Sequence, residues 1–348
     1  ARCPARRRGR LGRALGRRAL TGPKQQAAPT AGLAALARGG ANKFFGFCLR
    51  LAARLAFLFI AGRIYGAEAL GRFAYAVLVV EFAGQLATPG LKRGLSQQLA
   101  HTDKPHVCVA WDSLLVGAVG SAVAVTILML FPQAMFPNSE ITGLEWLLPI
   151  TIIALAWSDI MLAALAYRHD VTSTVRARAI VEPVTISAAA LAWSFISTRD
   201  GLIIAYVLSM VGALIASIIP FLKSYGIPRG WNPDPATLWK MARRNVPVAA
   251  ADAVEWGSRR IDIAVLGLFF RPEVVGIYYV AQNVASLPAK LKTSFDPILG
   301  PVIARNLKDG DKEAVARQVR QVGFWVIGAQ LGVALALAIP GEAVMGLV

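Results

Sequence analysis

The residues best suited to bind an anion are two arginines inside an apolar segment, Arg50 and Arg54. Residues four positions apart lie on one face of a helix, and Lys43, seven positions before Arg50, lies on the same face. A guanidinium group can donate two parallel hydrogen bonds to a phosphate or carboxylate. Charged side chains inside a bilayer tend to face a water-filled cavity. The spacing therefore predicts a cationic stripe along a cavity; the alternative is that these side chains extend to the headgroups.

A second group of charged residues mixes acids with a base: Asp252, Glu255, Arg259 and Asp262. On one continuous helix these four residues would fall within an arc of about 80°, from which Arg260 points away. Facing a cavity, the group could bind a charged ligand or transfer protons or a cation. The alternative is local neutralisation, because Glu255 and Asp262 flank Arg259 at helical spacing.

A third polar face follows in the next apolar segment, with Pro288 inside it as the expected position of a bend. Lys290 and Lys292 flank this face. Its members are spaced for one side of a helix: Gln282, Ser286, Thr293 and Asp296. A helix this polar is not expected to face lipid along its whole length.

Two more carboxylates lie inside apolar segments. Glu81 shares a helical stripe with Gln85, Thr88 and Lys92, whereas Asp159 is isolated. Both are candidates for coupling to an ion. For Asp159 a local hydrogen bond is an equally good interpretation.

None of these patterns matches a catalytic centre. The three histidines, His101, His106 and His169, lie between apolar segments at spacings that do not match a metal site. No glycine-rich phosphate-binding loop occurs, so we expect no ATPase motor in this sequence. The prediction is therefore a protein that is not an enzyme and that uses no cofactor or metal.

The segments that must position these residues are long and apolar. The 348 residues are 56% hydrophobic and 16% charged, and the mean hydropathy is +0.53. Soluble proteins carry about 25% charged residues, and about 20 apolar residues span a bilayer. We therefore expect an all-α polytopic membrane protein. Its predicted transmembrane helices are 44–65, 70–89, 107–131, 146–167, 179–196, 202–222, 246–270, 274–302 and 322–339.

In a soluble protein a net charge of +17 would suggest a nucleic-acid partner. In a membrane protein the basic residues instead concentrate in the loops on the cytoplasmic side. Every second loop is basic: the four loops that follow helices 2, 4, 6 and 8 carry 16 Lys and Arg residues. The alternate loops with their immediate flanks carry four. This asymmetry predicts a multi-pass protein of the bacterial cytoplasmic (inner) membrane with its N-terminus inside and no nucleic-acid partner.

The chain divides into four parts. Residues 1–43 form a basic cytoplasmic tail expected to be disordered, and residues 44–222 form an N-terminal lobe of six helices. A cytoplasmic linker at 223–245, rich in Pro and Gly, precedes an incomplete C-terminal lobe of three helices at 246–348.

An internal repeat relates the two lobes. With a shift of 205, residues 61–76 align with 266–281, so that Gly62, Glu68, Gly71 and Ala76 meet identical residues. The same shift places Arg54 on Arg259. Repeats of this kind relate two lobes by an axis along the membrane normal.

These segments resemble bacterial polysaccharide flippases of the multidrug/oligosaccharidyl-lipid/polysaccharide exporter superfamily. The motifs are Gly62–Phe73, Pro89–Leu91 with Gly94 and Leu95, residues 260–262 and 275–281, Pro297 with Pro301, and the basic segment 305–320. The resemblance covers roughly residues 42–348. It implies two pseudo-symmetric six-helix lobes around a central cavity and transport by alternating access. Members have 12 to 14 helices, so the resemblance also implies that the second lobe is truncated.

The function implied by the resemblance is transfer of a polyprenyl-pyrophosphate-linked oligosaccharide from the cytoplasmic to the periplasmic leaflet. On this hypothesis Arg54 and Arg259 bind the pyrophosphate across the lobe axis, and Arg50, Lys290 and Lys292 extend the basic surface. Possible coupling residues are Asp262, Glu255, Asp159 and Glu81. The expected partners are the lipid-linked oligosaccharide, membrane lipids, and a polysaccharide polymerase with its export machinery.

Two other functions stay open. A cation-coupled multidrug antiporter of the same superfamily needs an intramembrane carboxylate, and the first helix has arginines and no acid. A membrane-embedded polysaccharide polymerase or ligase belongs to a different class and needs a large outer loop with catalytic residues. The longest predicted outer loop, 132–145, is short and contains no Lys or Arg.

Overall fold

The computed structural model describes residues 52–102, 104–141, 143–286 and 312–338. Within these ranges the chain forms helices and connecting turns and no strand. The predicted tail at 1–43 and the predicted site residues Arg50, Lys290 and Lys292 lie outside the described residues.

Twelve helices follow one another in the described ranges. In chain order they are α1 (52–60), α2 (Gly66–Ala87), α3 (Leu91–His101), α4 (His106–Leu130), α5 (Thr151–Tyr167), α6 (Val171–Val175), α7 (Glu182–Ser194), α8 (Gly201–Tyr225), α9 (Pro235–Ser258), α10 (Ile261–Phe269), α11 (Pro272–Ala285) and α12 (Lys312–Ala338). Short π-helical segments, Ala61–Tyr65 and Arg176–Val181, follow α1 and α6.

Four helical stretches among the described residues are long and apolar enough to cross a membrane: Ala52–His101, His106–Leu130, Leu144–Tyr167 and Gly201–Tyr225. The chain is therefore an all-α polytopic membrane protein. The predicted count of nine spanning helices is not reproduced by this criterion. The predicted helix at 179–196 starts within a π-helical segment that ends at Val181 and continues as the short α7, and that at 246–270 is divided into α9 and α10.

The stretch Ala52–His101 is not one straight helix, because it reverses direction at Gly66. The backbone of Gly66 has φ 85°, which an L residue rarely adopts. The rings of Phe57 and Phe73 lie 5.9 Å apart, whereas sixteen residues of continuous helix would separate them by about 24 Å. Helices α1 and α2 thus form the antiparallel pair that the sequence predicts.

The predicted linker at 223–245 is partly helical. Helix α9 begins at Pro235, where Asp234 accepts a hydrogen bond from the backbone N–H of Ala236. Asp at the N-cap followed by Pro at the first helical position is a strong helix start. The search for long apolar segments did not find this helix start, because the first turns of α9 are polar. Helix α3 was missed for the same reason, since Leu91–His101 is amphipathic and short.

The core lies between α2, α5 and α8. Leu70, Leu148, Ile152 and Leu202 are fully buried there. Apolar side chains on the outer faces of α4 and α8 stay exposed, among them Val123, Ile127 and Ile215. This inside-and-outside distribution of apolar residues is expected of a bundle that packs internally and meets lipid externally.

The two copies of the repeat contact one another through equivalent residues. A Cβ atom placed on Gly71 of α2 would overlap the carbonyl oxygen of Pro272, and one placed on Gly276 of α11 would overlap that of Ala67. Under the shift of 205, Gly71 corresponds to Gly276 and Ala67 to Pro272. The contact is therefore reciprocal, as an approximate two-fold axis between α2 and α11 requires. This geometry supports the predicted duplication.

Candidate functional site

A cavity of about 610 Å³ opens among the helices of the first half of the chain. Its wall is formed by α1, α2, the start of α3, α5, the segment 174–186 and α8. Arg260 and Tyr279 complete it from the second half of the chain. We call this space the central cavity.

The central cavity is lined by both signs of charge. Four cations contribute, Arg54, Lys92, Arg178 and Arg260, against three carboxylates, Glu81, Asp159 and Glu182. Charges at this depth are costly unless they are paired or face water. The pairing of each group therefore shows which charge is left for a ligand.

Arg178 holds two of the three carboxylates. Its guanidinium forms ion pairs with Asp159 and, at 2.7 Å, with Glu182, and it also donates to Ser158 Oγ at 2.8 Å. Lys92 Nζ lies 3.4 Å from the same Asp159. Asp159 is thus in an ion-pair network and not in the isolated setting that its sequence context suggested.

The third carboxylate is held across the two halves of the chain. Arg260 Nη1 lies 3.0 Å from Glu81 Oε2, which links the start of α10 to α2. The guanidinium of Arg260 also lies over the ring of Trp256 at 4.9 Å. Glu81 therefore lines the cavity as part of an ion pair between the two halves of the chain.

Arg54 differs from the other three cations. Its Nη2 donates to the neutral Asn283 Oδ1 at 2.9 Å, and among the described residues it forms no ion pair with a carboxylate. A guanidinium has five N–H donors, and this bond uses one of them. Arg54 is thus the lining cation whose charge no carboxylate among the described residues neutralises.

The placement of Arg260 corrects the expected arc of charges on the predicted helix at 246–270. The prediction placed Arg260 away from the polar face and Arg259 on it, assuming one continuous helix. Helix α9 ends at Ser258 and α10 begins at Ile261, so the 100° rotation per residue does not carry across the break. Arg260 consequently points into the cavity.

Arg259 does not join Arg54 at the cavity. Its side chain is 75% exposed and pairs with Glu255 at 2.8 Å, the local neutralisation weighed above. Glu255 and Asp252 both pair with Arg93 of α3, each at 2.9 Å. Arg259, Glu255 and Asp262 are absent from the described lining of the cavity.

Asp262 lies beside the break between α9 and α10, and its side chain forms hydrogen bonds that stabilise the fold. It accepts hydrogen bonds from Tyr278 Oη at 2.7 Å and from the Gln282 amide, both on α11. These bonds fix the start of α10 against α11. Of the four candidate coupling carboxylates, Glu81 and Asp159 therefore line the central cavity, and Glu255 and Asp262 do not.

Sequence reasoning missed five polar residues of the cavity wall: Thr174, Arg178, Glu182, Tyr206 and Ser209. Arg178 was assigned to a basic loop, although its four-residue spacing to Glu182 is the spacing of a helical ion pair. It lies in the π-helical segment Arg176–Val181, an element often found at functional sites. Tyr206 and Ser209 are three positions apart in an apolar helix, and spacing alone did not distinguish them from ordinary core residues.

The fold and this site define a class: a helical membrane protein whose bundle encloses a charged cavity. The model of the polysaccharide biosynthesis protein family matches residues 60–339, which is most of the chain. The chain belongs to this family of polysaccharide biosynthesis proteins. Comparisons with curated proteins and with solved structures gave no significant match.

Proposed function

We propose that the protein transfers a polyprenyl-pyrophosphate-linked oligosaccharide from the cytoplasmic to the periplasmic leaflet by alternating access. The family supports a role in polysaccharide biosynthesis, and the helical bundle supports a site within the membrane. The observation that carries the proposal is Arg54, a cavity cation whose described partner is the neutral Asn283. On this proposal the protein is a transporter and not an enzyme.

The ligand chemistry follows from the charge balance of the cavity. Each of the three lining carboxylates is paired with Arg or Lys. Arg54 retains donors for an anion, and its forked geometry suits a phosphate better than a point charge would. A pyrophosphate bound there would have its lipid tail in the bilayer and its saccharide in the cavity.

Because the lining carboxylates are paired with Arg or Lys, a cation-coupled multidrug antiporter is our second candidate function. Such a transporter needs an intramembrane carboxylate free to bind the coupling ion. Glu81 and Asp159 stay our candidates for ion coupling, since both line the cavity. Coupling through either would require its ion pair to open during transport.

The organisation that we propose for the protein is two lobes, 44–222 and 246–348, joined by 223–245, with the N-terminus on the cytoplasmic side of the bacterial inner membrane. Arg50, Lys290 and Lys292 would extend the basic surface from Arg54. The proposed partners are the lipid-linked oligosaccharide, membrane lipids and the polymerase and export machinery that use the product.

Polysaccharide export in a strain whose own gene is deleted tests the proposal. We expect Arg54→Ala to abolish export while the protein remains in the membrane at normal abundance. Arg54→Lys keeps the charge without the fork and should retain part of the activity. Full export by Arg54→Ala at normal abundance would refute the role of Arg54 in binding pyrophosphate.

Arg63→Ala provides the matched control. Arg63 follows Arg54 in the same helical segment, is exposed, and does not line the central cavity. The substitution removes the same charge and leaves the cavity unchanged. Export by Arg63→Ala should therefore equal export by the unmodified protein.

A further inference from the structure

Two hydroxyl groups in the wall of the central cavity lack hydrogen-bond partners among the described residues. They are Tyr206 Oη and Ser209 Oγ, both on α8. The two residues are 3% and 0% exposed. Positions three apart lie on one face of a helix, so both residues belong to the side of α8 that forms the cavity wall.

Unpartnered buried hydroxyls are uncommon in folded proteins. Most buried polar side-chain atoms have a hydrogen-bond partner, and an exception indicates a bound water, an ion or a ligand. Ser217 of the same helix shows the usual arrangement, since its Oγ donates to the Ala213 carbonyl at 2.7 Å. Ser209 makes no corresponding bond among the described residues, so its hydrogen-bonding capacity is unused there.

The rings beside these hydroxyls are aromatic, and the charged side chains nearest Tyr206 are paired with one another, Arg178 with Glu182 and Arg260 with Glu81. The ring of Phe73 lies 5.9 Å from that of Tyr206 in an edge-to-face arrangement, and the ring of Phe57 lies 5.9 Å from Phe73. All three rings line the central cavity. Each hydroxyl offers one donor and two acceptor positions beside these apolar faces.

This combination matches the chemistry of a sugar ring. A pyranose presents hydroxyls at its edge, which exchange hydrogen bonds, and C–H groups on its faces, which pack on aromatic rings. The cavity would then hold two different groups, an anion at Arg54 and a neutral polyhydroxylated ring at Tyr206 and Ser209. A small number of placed polar groups in an apolar pocket is the usual basis of ligand specificity.

We propose that Tyr206 and Ser209 bind hydroxyl groups of the sugar nearest the pyrophosphate and so select for the glycosylated form of the lipid. This assignment rests on the function proposed above. It adds that the protein distinguishes the loaded carrier from the bare one. A transporter without this discrimination would carry the unglycosylated lipid as readily.

The affinity of the purified protein for two probes tests this selection. One probe is undecaprenyl pyrophosphate, and the other is the lipid-linked oligosaccharide extracted from the gene-deleted strain. We expect the unmodified protein to bind the glycosylated probe more tightly. Equal affinities would overturn the assignment whatever the variants do.

The variants Tyr206→Phe and Ser209→Ala each remove one hydroxyl with little change of shape. A hydrogen bond contributes about two- to tenfold in affinity, so the double variant should lose roughly tenfold or more for the glycosylated probe. Affinity for undecaprenyl pyrophosphate should not change. An equal loss for both probes, or no loss for either, would contradict the assignment.

Two further variants serve as controls. Ser217→Ala makes the same chemical change on the same helix outside the cavity and should leave both affinities unchanged. Ser209→Thr keeps a hydroxyl and should retain most of the selectivity. If Tyr206→Phe fails to fold, the comparison of Ser209→Thr with Ser209→Ala still tests the role of the hydroxyl group.

The outcomes separate the two proposals. If the unmodified protein binds neither probe, the function proposed above and the sugar assignment both fail. If it binds both probes through Arg54 with equal affinity, the sugar assignment alone fails, and the hydroxyls hold only water.

Discussion

The two copies of the repeat, α1–α2 and α10–α11, share a backbone contact and differ in their charged side chains. Gly71 and Gly276 meet reciprocally. Arg54 of the first copy donates to Asn283 of α11, whereas its equivalent Arg259 pairs with Glu255 of its own helix. The position equivalent to Asn283 in the first copy is Leu78, which has no acceptor to offer Arg259. The two copies therefore share the packing contact, whereas only the first of the two aligned arginines lines the central cavity.

The largest predicted effect is on export, and it should distinguish Arg54 from Arg259. We expect Arg54→Ala to lower export on the order of 100-fold, the loss of charged hydrogen bonds to the ligand. Arg259→Ala should lower it less than about threefold, the scale of a surface ion pair. Export per unit of membrane protein is the measurement. Equal losses at the two positions would mean that both arginines contact the ligand.

The next effect should be equal in the two copies. Gly71→Ala and Gly276→Ala each force a methyl group against the facing backbone, and we expect each to destabilise the protein by about 1–3 kcal/mol. Gly257→Ala, where nothing lies within 4 Å of the added methyl group, should be neutral or stabilising. Thermal unfolding in detergent would measure all three. A large difference between Gly71→Ala and Gly276→Ala would argue against the approximate symmetry.

A smaller effect should arise at the ion pair that joins the copies. Arg260→Ala leaves Glu81 unpaired in the cavity, and Glu81→Gln removes the charge that Arg260 neutralises. Because both side chains are partly exposed, we expect about 1–2 kcal/mol for Arg260→Ala. Adding Glu81→Gln should recover part of this loss, as the double-mutant cycle would report. Additive effects of the two substitutions would show that the pair does not interact.

The smallest effect concerns two helix caps outside the membrane-spanning segments, Asp170 before α6 and Asp234 before α9. Hydrogen bonds from the side chains of Ser173 and Thr237 lower the pKa of these carboxyls below the ordinary value of 3.8. Their stabilisation is therefore complete above pH 3.8 and is lost as the pH falls through the lowered pKa.

We expect Asp170→Ala to cost about 0.5–1 kcal/mol near neutral pH and Asp234→Ala less. The difference between each variant and the unmodified protein should disappear in acid. Unfolding in detergent at a series of pH values measures this. A difference that persisted below the lowered pKa would show that the carboxylate charge is not the cause.

The positions of apolar helices could be predicted from the sequence, and part of the binding site could not. The predicted helix at 107–131 corresponds to α4, His106–Leu130, because a run of apolar residues fixes a spanning helix directly. The shift of 205 also aligned Gly71 with the glycine that it contacts. Both predictions depend on local spacing, which the chain preserves.

The site depends on features that local spacing does not reveal. The break at Ser258–Arg260 exchanged the directions of Arg259 and Arg260, and a helical wheel drawn through the break was wrong for both. The partner of Arg54 is 229 positions away, at Asn283. Arg178 required the π-helical segment to bring it to Asp159. The start of α9 could have been found, since Asp234 and Pro235 are a recognisable cap and first residue.

The reciprocal contact between α2 and α11 has a consequence for the origin of the fold. A surface that meets its own copy is self-complementary, as in a two-fold homodimer. A single ancestral unit would have presented both halves of the contact and could have paired with a second copy before the genes fused. After fusion the two glycines must still be kept together, while the arginines that precede them in the chain are not held by this contact.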